Sequence, residues 1–517
     1  MRSRPIATFA FKESSNGPAL LPRPRKICCA PYSRWLVPPA ALAIHLAIGQ
    51  VYSFSVFKIP LPQLIGISKP GPDDWTQPQV ARIFSLAIVM LGLSAALFGK
   101  WLETAGPRKA MFVAACCFGL GFFMAYFGVV SHQLWLLYFG YGVVGGVGLG
   151  PGYISPVSTL IKWFPNRPGL ATGMAIMGFG GGAMIGSPLA IKLRHHFKSP
   201  AGVGVGSTFI VMGVLHFVFM MLGVFMIRIP REGWKPENWT APVKPQALIT
   251  RHDVDVCTAV RTPQFYLLWI ILCVNVTAGS GIIEQASPMI QDLFRGMITP
   301  VAAGGFVGLL SIFNMAGRCF RSCASDFIGR KPTYFIFLGL GAALYVFLPL
   351  TGGDHMNSVK LFATVACVLL SMYGGGFATI PAYLRDLFAS HNGSAMHGRL
   401  PTARSTAGVL GPVLVNNMRE YQLVHGVDKA GAYQTTMHIM AVLLIIGFIA
   451  NFLVKSVAEK YWLPDSMPKN PAASRSLQPL RLDLGRPCIR ARLASAVSRA
   501  AQVIIGICFR YWFRRAH

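Results

Sequence analysis

The chain has 517 residues, 53% of them hydrophobic and only 13% charged, with a mean hydropathy of +0.50. So few charges exclude a water-soluble surface of this size and place the chain in the membrane class. The formal net charge of +29 would suit a nucleic-acid partner, but Lys and Arg gather at the two ends and in alternate connections between apolar runs. That distribution excludes a basic nucleic-acid surface and matches the positive-inside pattern.

Residues 1–34 read as a basic cytoplasmic tail, because they hold no long apolar core before a small-residue cleavage site. Twelve stretches are then long and apolar enough to be membrane helices, each needing about 20 residues. They lie near 36–60, 79–102, 110–130, 134–158, 168–191, 206–229, 264–286, 299–322, 332–351, 360–384, 399–418 and 431–454. The eleventh is the weakest, since Thr402, Arg404 and Ser405 interrupt it. An even number of spans returns both termini to the cytoplasm. Lys192, Arg194 and Lys198 depart from the charge rule by falling in a connection expected to be external.

The polar segment 231–262 divides the spans into bundles over 35–230 and 263–455. GKWLETAGPRK (Gly99 to Lys109) after the second span repeats as RSCASDFIGRK (Arg321 to Lys331) after the eighth. A repeat between halves is a transporter signature, two bundles rocking about a site near the bilayer midplane. Residues 456–517 form a basic cytoplasmic tail expected to be disordered, and VIIGICFRYWFRR at its end has an alternative reading as a surface-lying amphipathic segment. The 11 cysteines show no CxxC pair and no Cys/His ligand spacing, so neither a disulfide framework nor a metal site is expected.

Arg318 interrupts the eighth span. Such a residue costs about 2.5–3.5 kcal/mol on insertion scales and tends to face a cavity or a partner. Asp326 ends the same span eight residues later, which puts Arg318 roughly 12 Å deeper. Arg404 lies about 10–13 Å inside the eleventh span by the same rise. Two guanidiniums at one depth repel unless an anion lies between them, and a carboxylate accepts paired hydrogen bonds from such planar forks. The plainer readings are that Arg318 snorkels to the headgroups and that Arg404 sits shallower.

Glu284 is the intramembrane acid, readable as a proton-coupling group, an arginine partner or a residue at the external mouth of its span. Tyr52, Tyr373 and Phe377 suit the wall of a pocket for a small planar anion, although aromatic residues in such helices more often simply pack. His45, inside the first span, either titrates or is hydrogen-bonded between helices. The runs GYGVVGGVGLGPG and GFGGGAMIG lack the Lys-Ser/Thr of a phosphate loop, so close helix packing is the better account of them.

Several segments together resemble the oxalate/formate antiporter family of the major facilitator superfamily. These are AGPRK, GLGPGYISPVSTLIKWFPNRPGLATG, RTPQFYLLW, FNMAGR with SDFIGRK, and YGGGFATIPAYLRD, and the resemblance covers the chain from Trp35 to about Trp462. It implies an all-α integral membrane protein with twelve transmembrane helices in two six-helix bundles. It also implies substrate contacts from Arg318, Arg404, Tyr52, Tyr373 and Phe377, with His45 where a tyrosine is usual. Asp326, Arg330, Glu103 and Arg108 fall on the family's gating loops, with Glu284 as the coupling candidate. The chain departs from the family's pattern at Glu103-Thr104, at Arg321-Ser322 in place of Trp-Gly, and at Pro401 and Arg404.

The expectation is a monomeric secondary transporter of a bacterial inner membrane, with no cofactor and no enzymatic activity. It exchanges small organic anions, oxalate for formate in type, by alternating access. A proton-coupled lactate or pyruvate carrier, working through Glu284 or His45, is the alternative. A transporter-like carboxylate sensor is the rival from another class.

Overall fold

The computed structural model describes residues 32–463, except 68, 201, 232–233, 237–247, 251–252, 353–354, 390–392 and 429–430 and the side chains of residues 284, 300 and 301. The expectations for the basic N-terminal tail, for most of 456–517 and for much of the central loop therefore lie outside the described residues.

Twelve long helices carry the fold. They are α1 (Val37–Gly49), α2 (Gln77–Ala105), α3 (Pro107–Val130), α4 (Gly146–Trp163), α5 (Pro168–His196), α6 (Val205–Met226), α7 (Pro263–Leu293), α8 (Pro300–Ile328), α9 (Arg330–Phe347), α10 (Met356–Phe388), α11 (Pro401–Val424) and α12 (Gln434–Leu453). Two of the expected spans are interrupted in their interior by another helix type. The first tightens into a 3-10 segment, Gln50–Phe57, which carries Tyr52, and the fourth enters through a π-helical stretch, Tyr138–Gly145. A short helix, Gly393–Arg399, precedes α11. Lys192 and Arg194 belong to the last turns of α5 rather than to a connection.

Local chemistry sets the helix starts. Proline stands at the first helical position of α3, α5, α7, α8 and α11, where its missing N–H costs nothing. Thr76 and Gln79 form a capping box on α2, and the Thr299 hydroxyl accepts from the Ala302 N–H on α8. The repeated loops each turn on a glycine in the left-handed region, Gly106 at φ 84° and Gly329 at φ 94°. Side chains rarely adopt that conformation, so both copies of the repeat keep glycine there.

Eleven of the described helical segments are long and apolar enough to cross a membrane. The exception is α11, whose Arg404, Asn416, Asn417, Arg419 and Glu420 lower its hydropathy. It is held by neighbours instead, packing on α7 and on α2. The Ser405 hydroxyl donates to the Ile88 carbonyl at 2.7 Å and accepts from the Gly92 N–H at 3.1 Å. The outer surface is apolar, with Leu97, Phe225, Phe320 and Phe452 exposed, as suits contact with lipid.

The fold is an all-α membrane architecture of two six-helix bundles. Contacts between the halves run mainly through two equivalent pairs, α5 with α8 and α2 with α11, with the short helix Gly393–Arg399 also on α2 and α10 also on α5. Within each half, glycine makes close approaches possible. A Cβ on Gly182 would lie 2.5 Å from the Gly49 carbonyl carbon, and one on Gly374 would lie 2.2 Å from the Asn314 carbonyl oxygen. The glycine runs are thus packing surfaces, as small residues at membrane helix interfaces usually are.

Candidate functional site: a buried arginine pair

Arg318 is fully buried. Its Nε donates to Asn314 Oδ1, one turn earlier on α8, at 3.2 Å, and its Nη1 donates to the Ile176 carbonyl of α5 at 3.3 Å. Its guanidinium carbon lies 5.1 Å from the Phe377 ring centre on α10 and 6.0 Å from that of Phe179 on α5. Arg404 is 3% exposed and reaches the same two rings, at 5.0 Å from Phe377 and 4.5 Å from Phe179. It also lies 5.3 Å over Tyr52, to whose hydroxyl its Nη2 donates. Ring faces attract cations, more so where water is excluded.

These contacts leave the pair short of partners. Nη2 of Arg318 and Nε of Arg404 are buried with no hydrogen-bond partner among the described residues. The ion pairs there are Lys162–Glu103, Arg330–Asp326, Arg330–Asp386 and Arg419–Asp292, and none includes either arginine. A buried charge without an opposite charge is expensive, and an anion is the kind of group that offsets it.

The remaining aromatic candidates gather around it. Tyr373 is buried with Tyr52, Arg318 and Arg404 as its electrostatic neighbours. His45 stands one layer behind: its Nε2 is 3.1 Å from the Tyr153 carbonyl oxygen, and its ring meets Phe179 edge-on at 6.5 Å. Arg318 is close enough to His45 to act on it electrostatically, but no hydrogen bond joins them.

The two loops of the repeat lock the halves together at one end of the molecule. Asp326 accepts from the Gly169 and Leu170 N–H groups at the start of α5, both at 2.8 Å. Arg330 clamps it, 2.6 Å from Asp326 and 2.9 Å from Asp386 at the end of α10. In the other half Glu103 accepts from the Ser394 N–H at 2.7 Å and pairs with Lys162 at 3.6 Å. Each carboxylate thus meets a helix start belonging to the opposite half, where exposed N–H groups and the helix dipole favour negative charge.

The sequence profile of the Major Facilitator Superfamily matches residues 27–415. The chain belongs to this superfamily. It is a multi-pass membrane transporter and not an enzyme. Among curated major facilitator relatives, the oxalate:formate antiporter of Oxalobacter formigenes is 26% identical over 377 residues, covering 72% of this chain and 81% of the relative. An uncharacterised transporter of Escherichia coli K12, YhjX, is 27% identical over 372 residues, covering 71% and 83%. Apicoplast pyruvate carrier 1 of Toxoplasma gondii is 32% identical over 367 residues, covering 60% and 65%. The solved Escherichia coli fucose:proton symporter shares the fold with a TM-score of 0.58 at 11% identity, covering 81% of this chain and 98% of that one.

Within this major facilitator fold, not every expected residue joins the centre or the two loop contacts. Arg108 does not pair with Glu103. It donates instead to the Phe225 and Ile227 carbonyls at 3.2 and 3.4 Å, capping the end of α6. Lys162 takes the place beside Glu103. The side chain of Glu284, on α7, lies outside the described residues. Ser322, which replaces a packing glycine, is accommodated by hydrogen bonds to the Gly169 carbonyl at 2.9 Å and to Thr172 at 3.3 Å. Arg321 turns away from the centre to Ser371, at 2.9 Å.

Sequence reasoning missed three residues of the centre: Phe179, Tyr153 and Asn314. Phe179 alone left a trace, as the one large side chain between Gly178 and Gly182. The glycines around it have a definite task here. A Cβ on Gly180 would stand 2.9 Å from Arg318 Nε, so the guanidinium fits because that residue has none.

Proposed function

We propose that this chain carries small carboxylates through a membrane by alternating access, exchanging one anion for another in the manner of oxalate for formate. One observation carries the reading: two buried guanidiniums share Phe179 and Phe377, each keeps an unpartnered N–H donor, and no carboxylate among the described residues pairs with either. The named activity of the Oxalobacter relative supports the same class of substrate.

In this reading an incoming carboxylate accepts from Arg318 Nη2 and Arg404 Nε. Its charge replaces the water it loses, with attraction on the order of 4 kcal/mol per close charge pair at an effective dielectric of 20. The rings of Phe179, Phe377, Tyr52 and Tyr373 exclude water and select flat, small anions. An empty centre leaves two cations facing each other, which disfavours the return of an unloaded carrier. That penalty makes exchange the natural mode, because the centre changes sides only when an anion shields it. The Asp326 and Glu103 locks hold one end shut and must break for that end to open.

Alternate connections carry the basic residues, so the locked end is read as cytoplasmic. The Oxalobacter and Escherichia relatives favour a bacterial inner membrane. The Toxoplasma relative favours a second reading, a pyruvate carrier. Counterflow in proteoliposomes with labelled oxalate, formate, lactate and pyruvate decides. Exchange of oxalate for formate without proton movement supports the proposal. Pyruvate uptake driven by a pH gradient, with no oxalate exchange, supports the second reading. Carboxylate binding with no flux would leave the protein a sensor and end both.

A further inference from the structure

At the locked end, a small cavity of about 30 Å³, partly open to solvent, lies between the ends of α4 and α10 and the short helix Gly393–Arg399. Its lining includes Ser158, Lys162, Arg385, Ser394 and His397, and no acidic residue. His397 is 4% exposed, yet neither ring nitrogen has a hydrogen-bond partner among the described residues. A buried imidazole with two unused nitrogens is costly unless something polar visits it.

His397 also abuts the aromatic wall behind the central site. Its ring packs on Tyr153 at 5.5 Å, and Tyr153 packs on Phe377 at 5.7 Å, the ring that lies beneath both guanidiniums. One aromatic layer separates the cavity from the arginine pair.

We propose that this cavity is a second, weaker carboxylate station on the path to the locked end, with His397 as its deepest ligand and Arg385 and Lys162 at its rim. The inference rests on the carboxylate-carrier reading and adds a site to it. An anion held by two guanidiniums in a dry centre would otherwise leave in a single uphill step. A second, looser site divides that step, as permeation pathways do when several weak sites replace one strong one. Arg385 is partly engaged, donating to the Pro165 carbonyl at 3.2 Å, and Lys162 is shared with Glu103, so neither binds as tightly as the central pair.

The test is calorimetric titration of the full-length protein in nanodiscs with oxalate, and separately with pyruvate. Wild type is expected to show a tighter and a weaker phase. His397→Leu should remove the weaker phase, or weaken it about tenfold, as loss of a hydrogen bond to a charged group does. It should leave the tighter phase unchanged. His397→Gln, which keeps one donor and one acceptor, should weaken the second phase less, and it stands in if the leucine variant does not fold. Arg318→Gln should remove the tighter phase alone. In oriented vesicles, His397→Leu should raise KM for the face at the locked end and not for the other. A single phase in wild type, or a weaker phase untouched by both His397 variants, overturns the second station while leaving the carrier reading in place. No binding of either anion to wild type overturns both.

Discussion

Glu103 and Ser394, 291 residues apart, meet through a 2.7 Å hydrogen bond from the Ser394 N–H to the Glu103 carboxylate. Asp326 and Gly169 repeat the relationship in the other half at 2.8 Å. The two locks differ in strength. Asp326 accepts two backbone N–H groups and is clamped by a buried arginine, whereas Glu103 is paired to a lysine with 39% of its side chain exposed. Asp326→Asn is therefore expected to favour opening by about 1.5–3 kcal/mol, the worth of hydrogen bonds to a charged group. Glu103→Gln also loses a hydrogen bond to a charged group, but its exposed lysine partner adds little, so it should favour opening by less than Asp326→Asn does. Hydrogen exchange at residues 169–172 is the measurement. Faster exchange in the glutamine variant than in the asparagine variant would contradict the ranking.

Arg318→Gln should lower carboxylate exchange by roughly tenfold to a hundredfold or more, since an anion entering the centre loses a charged donor. Arg318→Lys should not restore it. A lysine keeps the charge but not the planar fork that bonds Asn314 and Ile176 and lies over Phe377. Counterflow of labelled oxalate reads both variants, and full activity in the lysine protein would show that only charge matters.

Arg404→Trp should shift preference rather than abolish transport. One guanidinium still neutralises a monoanion, whereas a dianion loses half its counter-charge. The ratio of oxalate to lactate exchange is expected to fall at least tenfold, about 1.4 kcal/mol of discrimination. An unchanged ratio would remove Arg404 from the site.

Two glycines should separate function from packing. Gly180→Ala puts a methyl 2.9 Å from Arg318 Nε, at the movable end of a side chain, so transport should fall while the protein stays folded. Gly374→Ala puts one 2.2 Å from a backbone oxygen of α8, which cannot yield in the same way. The expected result is about 1–3 kcal/mol of lost stability, typical of overpacking. Thermal unfolding in detergent, set beside counterflow, compares the two.

The loop before α2 should loosen in acid. Partial burial opposes charge on Asp74, but N–H groups of Gly71, Ile65 and Gly66, each at 2.9 Å, outweigh it and hold the carboxyl below its ordinary range. A depressed value means that the loop's stabilisation is complete above the ordinary carboxylate range and is lost as pH falls through the lowered value. Exchange protection of residues 65–71 should therefore drop at acidic pH in the wild type. Asp74→Asn should lack that protection at every pH.

The sequence alone determined the number and order of the spans and, within the repeat, the positions of Gly106 and Gly329. Each of these follows from spacing along one helix or from one residue's backbone freedom. The repeat also marked Asp326 and Glu103 as equivalent. It did not show that Arg108 turns to the end of α6, because a motif fixes position along the chain and not the direction of a long side chain. Tertiary structure decided that both guanidiniums share Phe179 and Phe377 and that Gly180 makes room for one of them. These relationships join helices 5, 8, 10 and 11. They depend on how each helix is rotated against its neighbours, a quantity set by packing of the whole bundle and carried by no single segment.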